Sequence, residues 1–149
     1  MKKLIPGLLA LVILLLFACK KDKKGSDLPT SDCSISCKVD GSFIEEESPG
    51  SCILLDNSLS IGLIGMDKVA LQILDLQQAG TFDLEEVSNS VFVLLPDGTQ
   101  IAALNGSIIV SQLENNNVKG TFSGTFYDIQ DQTQTPAYTV TEGNFEMNF

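Results

Sequence analysis

The sequence predicts an all-β chain, a single antiparallel β-sandwich or small barrel of about eight to ten short strands. Three observations lead there. Apolar and polar residues alternate through most of residues 33–149, as in strands with one buried and one wet face. The alternating runs are short and end at turn chemistry such as Asp40-Gly41, Asp56-Asn57 and Pro96-Asp97-Gly98. No segment of that region carries the period of an amphipathic helix of useful length.

Taken in order, "SISCKVDGSFI" places Ile35, Cys37 and Val39 on one face and turns at Asp40-Gly41. "EEESPGS" reads as a polar loop. "CILLDNSLSIGLIG" reads as two strands around Asp56-Asn57, with Leu59, Ile61 and Leu63 in step. Residues Gly65 to Lys68 then form a hairpin turn into "VALQILDL", where Val69, Leu71 and Ile73 share a face. "AGTFDL" is a short strand, followed by a loop at Glu85 to Ser90. "VFVLLPDGTQIAAL" is a hairpin, because Pro96 presets φ, Asp97 caps the turn and Gly98 accepts a positive φ. "NGSIIVSQLENNNVKGTFSGTFYDI" is a second hairpin around Asn115-Asn116-Asn117, residues that tolerate left-handed dihedrals. The chain closes on "PAYTVTEGNFEMNF", with Phe145, Met147 and Phe149 in step.

The N-terminal region reads differently. Met1-Lys2-Lys3 precedes an apolar run of fifteen residues, Leu4 to Ala18, whereas a membrane-spanning helix needs about 20. A positive start, an apolar stretch of this length and a small residue at its end are the marks of a secretory signal peptide. Leu16-Phe17-Ala18-Cys19 resembles the lipobox of bacterial lipoproteins. That resemblance implies cleavage after residue 18 and lipidation of Cys19, with anchoring by two or three acyl chains. Residues 19–32 then read as the lipidated cysteine and a flexible linker. Lys20, Lys21, Lys23 and Lys24 would lie at the headgroups, where each contributes about 1 kcal/mol against anionic lipid.

Charge is uneven. All nine cationic residues are lysines, and only Lys38, Lys68 and Lys119 lie beyond the linker, against seventeen carboxylates from Asp32 onward. Such a surface repels nucleic acid, whose binding depends on neutralising phosphates. It suits cations or basic partners, or simply keeps the domain soluble.

Cys33, Cys37 and Cys52 remain in the domain once Cys19 is set aside. Exported chains keep disulfides, and an odd count leaves one thiol over. The sequence favours Cys37 with Cys52, with Cys33–Cys52 as the close alternative. Cys33 and Cys37 in one extended strand would sit about 13 Å apart, beyond disulfide reach.

"GTF" occurs at Gly80-Thr81-Phe82, Gly120-Thr121-Phe122 and Gly124-Thr125-Phe126. In a strand through 119–127 the glycines and phenylalanines share one face, the glycines relieving crowding where a sheet curves. A ring of Phe82, Phe122, Phe126 and Phe145 offers the lining of a cavity for an apolar ligand; a plain aromatic core is the commoner outcome. "CKVDGSF", "AGTFDL", "VKGTFSGTFYD" and "VTEGNFEMNF" together resemble the small β-rich lipoproteins of Bacteroidota-type bacteria, over most of residues 33–149. The resemblance implies an all-β, lipid-anchored exported domain and carries over no catalytic residues.

Chemistry is sparse. There is no histidine and no tryptophan, which removes His-based triads and metal sites and the usual stacking platform for sugars. We assign no catalytic residue, no cofactor and no metal. Glu45-Glu46-Glu47 and Asp128 with Asp131 are the acids a calcium ion would use, but neither has the spaced ligands and glycine of a calcium loop. The closing "FEMNF" resembles the last strand of an outer-membrane barrel, which would need strands of about 9–11 residues and a lipid-facing apolar band. The expected function is therefore a non-enzymatic binding or accessory module anchored at the outer membrane, on its periplasmic face in preference to the cell surface, meeting an unknown protein or small ligand. The alternative is a carrier that holds a small apolar ligand inside a barrel.

Overall fold

The computed structural model describes residues 32–149. The expected signal peptide, Cys19 and the linker up to residue 31 lie outside the described residues. Among the described residues the chain forms ten strands and no helices: β1 (Asp32–Val39), β2 (Ser42–Glu46), β3 (Cys52–Leu55), β4 (Ser58–Ile61), β5 (Val69–Ile73), β6 (Gly80–Asp83), β7 (Asn89–Leu94), β8 (Gln100–Glu114), β9 (Asn117–Asp128) and β10 (Tyr138–Asn148). All pairings are antiparallel, and the sheet runs β2-β1-β10-β9-β8-β7-β5-β4-β3, with β6 on the same edge of β8 as β7 but further along it, opposite Ser107 to Val110. The sheet curls into a half-barrel, so that β1 approaches β4 and β5 and β2 approaches β5. β2 and β3 follow one another in the chain yet form the two ends of the sheet. The fold is thus an up-and-down barrel left open along one seam.

The turns obey their sequence chemistry. Asp40 and Gly41 take φ of 48° and 86°, Asp56 and Asn57 take 47° and 65°, and Asn115 and Asn116 take 53° and 61°. These paired left-handed residues make the tight turns whose twist matches that of the strands they join. Asp97 Oδ1 accepts the Thr99 amide at 2.9 Å, which closes the Pro96-Asp97-Gly98 turn.

The predicted faces are buried: Ile35, Cys37, Val39, Leu59, Ile61, Val69, Leu71, Ile73, Phe145 and Met147 all lie in the core. Leu63 and Phe149 do not; both are exposed, beyond the ends of β4 and β10. The segment 62–68 is a loop rather than a tight turn, because Asp67 Oδ2 gathers the amides of Leu63 (2.6 Å) and Gly50 (2.8 Å) around itself.

Two strands are longer than their patterns suggest, for one reason. Along β8 the buried positions pass from Ile101 to Ile108 and Val110, an odd-to-even change absorbed by a bulge between Ala103 and Asn105. Along β10 they pass from Val140 to Phe145 and Met147, across a bulge that holds Glu142 at a φ of 50°. One extra residue inverts the alternation, so a continuous strand reads as two short ones. The outward positions of β9, Thr121, Ser123, Thr125 and Tyr127, are polar, unlike the apolar band of a membrane barrel.

Candidate functional site

A disulfide clips the two ends of the sheet together across the seam. The disulfide joins Cys33 of β1 to Cys52 of β3, with Cα atoms 6.2 Å apart. This corrects the favoured pairing: Cys52 is bonded, but its partner is Cys33 and not Cys37. The reason is depth. Cys37 lies at the middle of β1 against the core and is fully buried, whereas Cys33 lies at the strand's end, where the curled sheet brings β3 within reach. Burial pushes the Cys37 thiol up to about 12, so almost no thiolate is present and the group behaves as a small hydrophobe.

Three of the four phenylalanines proposed as a ring belong to the hydrophobic core. Phe122, Phe126 and Phe145 are buried, and Phe82 packs half-buried against the core. Phe145 faces Gly120 across the β9–β10 pair, and Phe122 faces Gly143. Each ring lies over its glycine: a Cβ at Gly143 would come within 2.6 Å of the Phe122 ring, and one at Gly120 would overlap Phe145. The glycines therefore act as seats for the rings. The clefts described below are lined by other side chains.

The acidic candidates have structural work. Asp128 Oδ1 accepts the Gln130 amide at 2.9 Å, and Asp131 accepts those of Thr133 (2.9 Å) and Thr135 (3.2 Å). The Thr133 hydroxyl and amide, with the Thr135 amide, hold the Asp131 carboxyl below the usual carboxylate range. Among the described residues, no three acidic or cysteine side chains converge as a metal cage. Glu45 and Glu46 belong to β2 rather than to a loop.

The open seam is the most distinctive surface. Val39 and Ser42 flank the two-residue turn, and in such a hairpin they form the hydrogen-bonded pair. The next pairs, Lys38 with Phe43 and Ser36 with Glu45, follow the alternation, so the main-chain N–H and C=O groups of Phe43 and Glu45 point away from β1 toward the seam. Lys68 guards this edge. Its Nζ donates to the Glu45 carbonyl oxygen at 3.2 Å, and its amide donates to Glu46 Oε2 at 3.2 Å. The other two lysines of the domain are ion-paired instead, Lys38 with Glu142 at 2.7 Å and Lys119 with Glu146 at 2.9 Å.

Phe43 projects outward and is 61% exposed. Three clefts share it. One of about 420 Å³ lies between β2 and the end of β7, lined by Ile44, Glu45, Lys68, Leu94, Leu95 and Pro96. A second, about 470 Å³, is lined by Glu45, Glu46, Glu47, Ser48 and Lys68. A third, about 330 Å³, reaches Asp40, Pro96, Asp97 and Tyr138. Together they make a trough along the free edge of β2, with an apolar floor and an acidic rim. Sequence reasoning missed this site. The available signal was Phe43 itself, an aromatic on the wet side of a strand whose inward residue is Ile44, but the turn and the glutamates beside it read as loop.

Comparison with family models, with curated proteins and with solved structures finds no match to the chain.

Proposed function

We propose that this chain is a lipid-anchored exported lipoprotein whose domain is a non-enzymatic binding module, held at the periplasmic face of the outer membrane through Cys19. The surface it offers is the open edge of β2. One observation carries this reading: a large aromatic, Phe43, stands exposed at an unpaired strand edge above a trough with an apolar floor. Aromatic anchors at the centre of a patch are where binding energy concentrates. The lipobox at Leu16-Phe17-Ala18-Cys19 and the resemblance to β-rich lipoproteins support the anchored, exported part. The carrier alternative draws no comparable support, because Phe122, Phe126 and Phe145 pack into the core.

Two experiments test the reading. Cys19→Ala should abolish acylation and leave the precursor uncleaved; normal processing of that variant would remove the anchor. A photocrosslinking residue placed at position 43 in cells should capture a partner, while the same residue at position 109, which is also exposed, should not. Equal capture at both positions, or none at 43, would remove the binding surface.

A further inference from the structure

We infer that the free edge of β2 binds an extended cationic peptide of a partner protein by strand addition, the peptide's main chain pairing with Phe43 and Glu45. This rests on the binding-module reading and specifies its partner. Its basis adds the main chain of that edge to the side chains that first mark the site. An exposed strand edge is a template for another chain, and strand addition takes its affinity from main-chain hydrogen bonds and its selectivity from alternate side chains.

The β2 edge has both parts. Phe43 and Glu45 turn their N–H and C=O groups to the seam, and the only one with a described partner is the Glu45 carbonyl, held by the Lys68 ammonium. An added strand would displace that single lysine contact. Its inward side chains would meet Ile44, Leu94, Leu95 and Pro96 on the trough floor. Its outward side chains would stand beside Phe43 and Glu45, with Glu47 and Asp97 toward the two ends of the trough. Apolar residues alternating with lysine or arginine fit this arrangement, since opposite charges and aromatic–β-branched pairs favour cross-strand neighbours. A second copy of this chain fits poorly, because the domain carries seventeen carboxylates against three lysines and copies repel one another.

The test uses the full-length protein in mild detergent and a short, end-blocked, fluorescently labelled peptide alternating lysine and valine. Two companions share its length: one has glutamate for lysine, and one is N-methylated on the residues whose amides face the edge. The parent peptide should bind and slow hydrogen exchange at the amides of Phe43 and Glu45. N-methylation should weaken it about tenfold or more, the effect of losing two main-chain hydrogen bonds. The glutamate peptide should not bind, and Glu45→Lys should weaken the lysine peptide without unfolding the protein, since Glu45 is exposed. Lys68→Ala should tighten binding a few-fold by freeing the Glu45 carbonyl. Equal binding of the N-methylated peptide would overturn strand addition, and equal binding of the glutamate peptide would overturn the cationic partner. Dimers formed through β2 in the absence of peptide would replace the partner with a second copy. If crosslinking at position 43 persists in cells while no peptide protects Phe43 and Glu45, the binding module stands and this inference falls. If both fail, both fall.

Discussion

The sheet has two regions that hold together by different means. In β8, β9 and β10 the strands are long, their pairing is extensive, and phenyl rings settle onto glycines of the neighbouring strand. Around β2, β3 and the segment 62–68 the strands have four or five residues, and outward Phe43, Ile53 and Leu55 are exposed. Here a covalent bond, Cys33–Cys52, and the Asp67 hydrogen bonds replace packing. The difference teaches where this chain can vary. Close packing leaves little room for substitution, whereas a clipped, thinly packed edge can present main chain and apolar side chains to another molecule.

The largest expected effect lies in the packed region. Phe122→Ala should cost about 3–5 kcal/mol in urea unfolding, as truncation of a buried aromatic does; Phe43→Ala should stay within about 0.5 kcal/mol, as exposed substitutions do. Similar losses at both positions would erase the contrast. Next comes the clip. Replacing Cys33 and Cys52 by serine should lower stability by about 2–4 kcal/mol, with a matching fall when the native protein is reduced. Cys37 should resist iodoacetamide in the folded protein and react once it is unfolded. Rapid native alkylation would place it outside the core.

Gly143→Ala tests the seat beneath Phe122, where a Cβ would meet both the ring and the main-chain oxygen of that residue. The added methyl should cost about 1–3 kcal/mol through overpacking, measured against an alanine at Gly80, where a Cβ meets nothing within 4 Å. Equal effects would mean that the ring is not fixed by its glycine. The smallest effect is electrostatic. Glu146 receives hydrogen bonds from Lys119 and Asn117, which lower its carboxyl below the ordinary value of 4.5. Because the folded value is depressed, the stabilisation is complete above about pH 4.5 and fades as pH falls through the folded value. The side chains are exposed enough for water to screen the pair. An NMR titration should find the Glu146 midpoint below that of a free glutamate and restored in Lys119→Met.

Much of the fold was legible because its signals are local. Asp40-Gly41, Asp56-Asn57 and Asn115-Asn116 specify turns through their own dihedral preferences, and alternation marked Ile35, Cys37 and Val39 as inward. The long strands were not legible. Their bulges reverse the alternation, and a bulge depends on the partner strand that leaves one residue unpaired. Phe43 was visible as an outward aromatic but had no meaning as a site without Leu94, Leu95 and Pro96 facing it from about fifty positions further along the chain.

The sequence alone determined an all-β antiparallel chain, most of its turns and inward faces, and a strongly acidic surface. These follow from short-range preferences and composition, which act wherever the chain goes. Tertiary structure alone decided that Cys33 takes Cys52 while Cys37 is buried, that Phe122 and Phe145 sit over glycines of the neighbouring strand, and that β2 and β3 leave the sheet open between them. Those outcomes depend on how far the sheet curls. Curvature arises from bulges, glycine seats and strand lengths acting together across the whole sheet, and no single stretch of residues contains it.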